Sequence, residues 1–235
     1  MVEVDVLSVF TDEDGGGGNL LGVVLDGAAV PPGARQALAA EFGYSETVYV
    51  DDVDRVAIFT PEVELPFAGH PLVGAAWLMV RNGAGRATLH TGAGEVPVSH
   101  RGEEVFIAGR PEWAPQFDLI ELGTPAEVDA LRGPPAGHDL VTAWSWIDAE
   151  AGIVRVRVFP ARFGIDEDEA TGANAILMAG RLDRRLLLRQ GVASRICAAP
   201  VGDGYVEVGG FVKYVSQNSV TVPDAAQLPS SEGNA

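Results

Sequence analysis

Glu64-Leu65-Pro66-Phe67-Ala68-Gly69-His70-Pro71, with the apolar run 72–80 behind it, decides how this chain folds. A polar loop turns there into a helix. Ala68-Gly69 lets the backbone approach a neighbouring segment, and Pro71 falls where an amide would have no helical partner to lose. The run Leu72, Val73, Ala75, Ala76, Trp77, Leu78, Met79, Val80 is apolar on nearly every face, so the helix must be enclosed by its own domain. Asn82-Gly83 predicts its stop. The free N–H groups and positive dipole end of a buried helix then point out of the core, an arrangement that suits an anion. His70 stands at that place. Read alone, the segment also fits a simple cap and turn.

Composition narrows the function classes. The chain has 235 residues, 47% hydrophobic, enough for one large domain or two small ones. Acidic residues number 33 against 16 basic, for a formal net charge of −17, and Lys213 is the one lysine. With no basic stripe, nucleic acid and anionic membrane surfaces are poor partners, and a bound anion must be held by helix N-termini and a few Arg or His. The single cysteine, Cys197, excludes a disulfide framework and a Cys-based zinc site, and its apolar surroundings predict a buried thiol. His70, His90, His100 and His138 lack metal-ligand spacing. No membrane span or signal pattern is seen, so a cytoplasmic protein is the expectation.

Along the chain, strands are predicted over 4–10, 19–25, 48–50 and 55–59, with a helix over 34–42 between the second and third. The acidic, glycine-rich 12–18 reads as a loop. It lacks the Gly-Lys-Ser/Thr of a phosphate cradle and leads into a strand. After the buried helix come strands over 87–90, 96–99 and 103–107. The stretch 109–140 breaks this rhythm and reads as a crossover, with a short helix opened by the capping box Thr124-Pro125-Ala126-Glu127. Strands at 141–147 and 154–159, a helix over 182–189 ended by Gly191, strands at 194–199, 205–208 and 211–215, and a disordered tail over 229–235 complete the reading.

A faint repeat crosses this order. Residues 55–79 and 154–180 both read strand, acidic loop, small-Gly-small, apolar helix. Pairing Glu64 with Glu167 brings Gly69 onto Gly172. Two halves would then face each other with two helix N-termini at the seam.

The motifs together resemble the phenazine-biosynthesis PhzF-like isomerases of the diaminopimelate-epimerase fold. The matching pieces run in the family's order: Gly18-Asn19, Ser45-Glu46-Thr47, the 59–71 loop with its Gly69-His70-Pro71, Thr91 to Val98, Gly164 to Gly172, and Val208-Gly209-Gly210-Phe211-Val212. The resemblance covers most of 4–108 and 152–215. It implies an α+β fold of two pseudo-symmetric halves. Each is a curled, mostly antiparallel sheet or barrel around a central buried helix, with the active site in the cleft between them. We place the halves at 1–112 and 113–215, with 216–235 returning to the first.

The resemblance further implies that Glu46 is the acid/base residue and that His70 and Asp168 are the other polar groups of the cleft. Asn19, Gly69, Thr171, Gly172 and Ala173 follow as substrate contacts. The chemistry is reasonable, since one carboxylate can take a proton from an allylic carbon and return it elsewhere on a conjugated system. Enclosure raises its pKa toward neutrality. No cofactor or metal is implied. The expected reaction is isomerisation of a small conjugated, carboxylated intermediate of secondary metabolism, such as antibiotic biosynthesis, by a homodimer. The alternative is a non-catalytic member that binds a small acid. The chain departs from the usual Asp-Pro-Ala-Thr-Gly-Ser at Glu169 and Ala173, adding a carboxylate and removing a hydroxyl. It also has Asn19-Leu20 for Asn-Pro. Racemase relatives place a thiol before each helix-start glycine, where this chain has Ala68 and Thr171, so two-thiol racemisation is not expected.

Overall fold

The structure, a computed structural model, describes residues 1–222. It opens with a hairpin of β1 (Val2–Thr11) and β2 (Gly17–Val24). β2 then pairs in parallel with β3 (Glu46–Asp51), a geometry that requires a crossover, and α1 (Pro32–Phe42) supplies it. Pro32 sits in the first turn of α1 and Gly43 closes it at φ 65°. β3 turns back on β4 (Arg55–Phe59), whose end pairs with the two-residue β5 (Glu64–Leu65). A second parallel crossover, from β4 to β6 (Thr88–Thr91), carries α2 (Gly69–Arg81). β7 (Gly94–Arg101) and β8 (Glu104–Gly109) follow as an antiparallel meander.

The second half repeats this succession of pairings. β9 (Asp118–Glu121) is parallel to β10 (Val141–Asp148) across α3 (Pro125–Asp129). β10 is antiparallel to β11 (Ile153–Phe159). β11 is parallel to β12 (Leu186–Gln190) across α4 (Gly172–Leu182). β13 (Ser194–Gly202) and β14 (Tyr205–Val220) close it as antiparallel neighbours. The small bridges match as well. Ile58 pairs with Leu65 before α2, and Val158 with Asp168 before α4; Leu65 falls on Asp168 when Gly69 is set on Gly172, while the partner strand is offset by three residues.

β14 is sixteen residues long and joins the halves. Its first part pairs with β8 and β13, and its far part with β1, where Val220 lies opposite Val2. The tail expected over 229–235 falls outside the described residues.

The two apolar helices sit where their composition requires. α2 buries ten residues, among them Leu72, Val73, Leu78 and Met79, and α4 buries seven, among them Ile176, Leu177 and Met178. Each such side chain contributes about 1.5–3 kcal/mol on leaving water. At Gly74 a Cβ would stand 2.4 Å from Leu21 and 2.8 Å from Val9, so this glycine lets α2 press onto β1 and β2. A smaller core under α1 joins Leu38 and Ala39 to Tyr49 and Phe59.

Two local expectations change. Residues 182–189 are not a helix: α4 ends at Leu182, Asp183 turns left-handed at φ 48°, and β12 begins at Leu186. Leu186, Leu188 and Gln190 are buried while Arg189 is exposed, a period of two that the leucine-arginine composition masked. The crossover also contains a strand, β9, ahead of its short helix.

Candidate active site

α2 begins where β3 begins. Ala68 is extended and caps α2 without a side-chain hydrogen bond, so His70 lies in the uncapped first turn, 5% exposed. Glu46 is the first residue of β3, beside Leu21 of β2. The parallel crossover and the helix start together bring His70 Nε2 to 3.2 Å from Glu46 Oε2. Neither atom makes an aligned hydrogen bond, and both are closed off from solvent. Burial pushes the Glu46 carboxyl up to about 8, and the charge of Asp168 adds to the rise. Burial pushes His70 down to about 4, against the opposing pull of Asp168. Although the distance fits an ion pair, a desolvated pair is better accommodated as neutral acid beside neutral imidazole. At neutral pH Glu46 then holds its proton and His70 is neutral.

Asp168 arrives from the second half and is held on several sides. Its backbone N–H donates to the Val158 carbonyl at 3.0 Å. Asn19 Nδ2 donates to its Oδ1 at 2.6 Å and Thr171 Oγ1 to its Oδ2 at 2.6 Å. Gln190 Nε2 donates to its carbonyl and to Thr171 Oγ1, both at 2.8 Å. Asn19 and Thr171, expected as substrate contacts, thus commit these side-chain bonds to Asp168. Gln190 was not anticipated, because it ends the strand that reads as a helix.

Gly69 and Gly172 start the two helices and touch. A Cβ on Gly69 would lie 3.0 Å from Gly172 Cα, and one on Gly172 would lie 3.0 Å from both Gly69 Cα and the His70 nitrogen. Close backbone approach, not an unusual torsion, is what requires glycine at both positions. The positive ends of α2 and α4 therefore converge. Neither helix has an acidic residue in its first turn or a side-chain cap, which leaves first-turn N–H groups free of side-chain partners. Phe10 supports this junction from below. It is fully buried at φ 69°, in a bulge where the β1–β14 register skips from Val9 to Thr11, and its ring lies 3.1 Å from the Cβ position of Gly172. A bulky residue held there carries about 1–2 kcal/mol of strain.

The two departures from the family pattern do not add charge to the junction. Glu169 turns its carboxylate into the 192–194 turn, and Ala173 packs on the hydrophobic core. Cys197 lies elsewhere on β13, its thiol pushed up by burial and by Glu104. His90 lies within 4 Å of Asp54 and Glu95, and His138 bonds Asp118; both are partly exposed. Among the described residues no group of His, Cys, Asp and Glu is placed to hold a metal ion, and no helix is long and apolar enough to cross a membrane.

Paired α+β halves with two helix starts meeting over a buried acid and imidazole define a class, the PhzF- and epimerase-type fold. A solved PhzC/PhzF phenazine-biosynthesis protein from Clostridium difficile superposes with a TM-score of 0.75 over 94% of this chain and 100% of that one, at 16% identity. Within that class the description "phenazine biosynthesis-like protein", PhzC-PhzF, matches residues 7–132, more than half of the chain, and the chain belongs to that family. It is 40% identical over 125 residues to an uncharacterized isomerase of Mesorhizobium japonicum, a match covering 48% of this chain and 39% of that protein. It is 27% identical over 208 residues to the trans-2,3-dihydro-3-hydroxyanthranilate isomerase of Pseudomonas aeruginosa, covering 71% and 75%. The chain thus aligns with less than half the length of the Mesorhizobium relative.

Proposed function

We propose that this chain is a cofactor-independent isomerase that moves a proton, and with it a double bond, within a small conjugated carboxylated molecule. The observation that carries the reading is the Glu46–His70 pair, 3.2 Å apart and buried where two uncapped helix N-termini meet. Glu46, in its ionised form, removes the allylic proton and returns it at another carbon of the conjugated system. Its raised pKa matches it to both steps. Neutral His70 accepts or relays the proton on the Nε2 side. The negative charge of Asp168 keeps Glu46 basic.

First-turn N–H groups from Gly69 to His70 and from Gly172 to Ala173 take the substrate carboxylate and stabilise the enolate-like charge that develops. Removing one such donor typically costs about 100-fold or more. A biosynthetic role in secondary metabolism accords with the family. The altered second motif does not favour a non-catalytic binder, because Glu169 engages the 192–194 turn rather than the junction.

Because a relative carries that name, trans-2,3-dihydro-3-hydroxyanthranilate is the first compound to assay. Incubated with the protein in deuterium oxide, it should be isomerised and gain deuterium. Glu46→Gln should lower exchange by about a thousandfold or more, as expected when a general base is lost together with its proton return. A protein that only binds leaves the compound unlabelled, and undiminished turnover by Glu46→Gln would remove Glu46 from the mechanism.

A further inference from the structure

Glu169 has no part in moving a proton, yet it is one of the most heavily bonded carboxylates in the molecule. Its Oε1 accepts from the Ser194 hydroxyl at 2.8 Å and from the Ala193 N–H at 3.1 Å, and the Val192 N–H reaches both oxygens at 2.9 and 2.8 Å. The fit leaves no room: a Cβ on Gly191 would stand 1.9 Å from Glu169 Oε2. Ser194, 2% exposed, in turn accepts the N–H of Gly18 at 2.8 Å, and Gly18 belongs to the first half. The next residue, Asn19, crosses back to Asp168 Oδ1 at 2.6 Å and to the Ala170 carbonyl at 3.0 Å, so it grips the chain on either side of Glu169. The contacts close a ring across the seam, from Asp168 to Glu169, Ser194, Gly18, Asn19 and back to Asp168.

We propose that Glu169 and Ser194 are positioning residues: their part of this ring locks Gly18-Asn19 of the first half onto the 168–170 segment of the second and so fixes Asp168 beside Glu46 and His70. The inference rests on the proton-transfer reading only through the role of Asp168. A carboxylate suits the position because every group facing it is a donor. An amide would turn an NH2 toward one of those donors, and the shorter Asp would not span to the turn. It also gives the family departure at position 169 a structural role. The extra acid adds a side-chain tie across the seam to the joining of the halves by β14. Without it, Asp168 keeps its bonds to Thr171, Gln190 and Asn19, but Ser194 is no longer held against Gly18, the neighbour of Asn19.

The test is a titration of the Glu46 carboxyl, followed by carbon NMR in protein labelled at glutamate side chains, in the wild type and in Glu169→Ala and Ser194→Ala. The wild-type midpoint is expected near 8. With Asp168 less closely held, each variant should titrate lower by about half a unit or more, since the charge of Asp168 adds to the rise of Glu46. Glu169→Ala and Ser194→Ala together should do no more than either alone, because they break one ring. Deuterium exchange into trans-2,3-dihydro-3-hydroxyanthranilate should fall about tenfold in kcat, with KM little changed, when a positioning contact is lost. Glu13→Ala, which removes the Arg195–Glu13 pair between the β1–β2 loop and β13 but outside the ring, should leave both readouts at wild-type values. An unchanged Glu46 midpoint in folded Glu169→Ala and Ser194→Ala overturns the proposal. Should Glu169→Ala not fold, Ser194→Ala, which deletes one hydroxyl, decides alone. Midpoint shifts in the variants of a protein that does not turn over the compound would rule it out as the substrate and leave the ring standing.

Discussion

At the residue scale, the junction is governed by desolvation. Glu46 rises from 4.5 to about 8 and His70 falls from 6.5 to about 4, each because its charged form is poorly hydrated there. The consequences for stability follow from the signs. The folded chain holds the Glu46 proton more tightly than the unfolded one, so that contribution is complete below pH 4.5 and is lost as pH rises through about 8. Neutral His70 supports folding above pH 6.5, and that support is lost as pH falls through about 4. Between 4.5 and 6.5 the two slopes oppose. From 6.5 to 8 only Glu46 acts, and stability should fall by up to about 1.4 kcal/mol per pH unit. Urea unfolding at pH 6.5 and 8 should show this fall in the wild type and not in Glu46→Gln. Activity should move the other way: kcat/KM should climb with pH and level off near 8, as Glu46 becomes the base. A profile that is flat between pH 6 and 9 would place the base elsewhere. Glu46 and His70 were both legible in the motifs around them. Gln190 was not, because nothing near it in the chain points to Asp168.

At the element scale, the decisive fact is that two helices begin against each other. Gly172→Ala would add a methyl 3.0 Å from Gly69 Cα and from the His70 nitrogen and 3.1 Å from Phe10. Alanine is the better helix former by about 1 kcal/mol, but at a helix start in full contact with backbone that preference is outweighed by the clash. The helix ends should part by a few tenths of an ångström. We expect turnover to drop by about a hundredfold, as for other small misplacements of reacting groups, while circular dichroism shows the helices intact and the melting temperature falls by only a few degrees. Full activity in Gly172→Ala would mean that the contact of the two starts does not set the site. A continuous apolar run located α2, and the repeat located α4. The same reasoning misassigned 182–189, since three consecutive leucines suit either a buried helix or a strand, and only the parallel neighbour β11 makes them β12.

At the scale of the whole molecule, neither half is complete alone. β8 needs β14 on its open edge, and β1 needs the far part of the same strand. A fragment of residues 1–112 would expose both edges and the buried start of α2, a surface prone to pairing with other chains. Expressed alone, it should show no cooperative melting transition, whereas the full chain should melt in one step; a reversible, cooperative melt of the fragment would make the halves independent domains. What the sequence by itself determined is local: apolar helices that must be enclosed, turns set by Gly and Pro, and a repeat that aligns Gly69 with Gly172. These depend on residues near one another in the chain. The tertiary structure alone decided that Asn19 donates to Asp168 and that the Gly18 N–H donates to Ser194. Those two bonds span more than a hundred residues and depend on strand pairing and burial, because a hydrogen bond between distant segments belongs to the space between them.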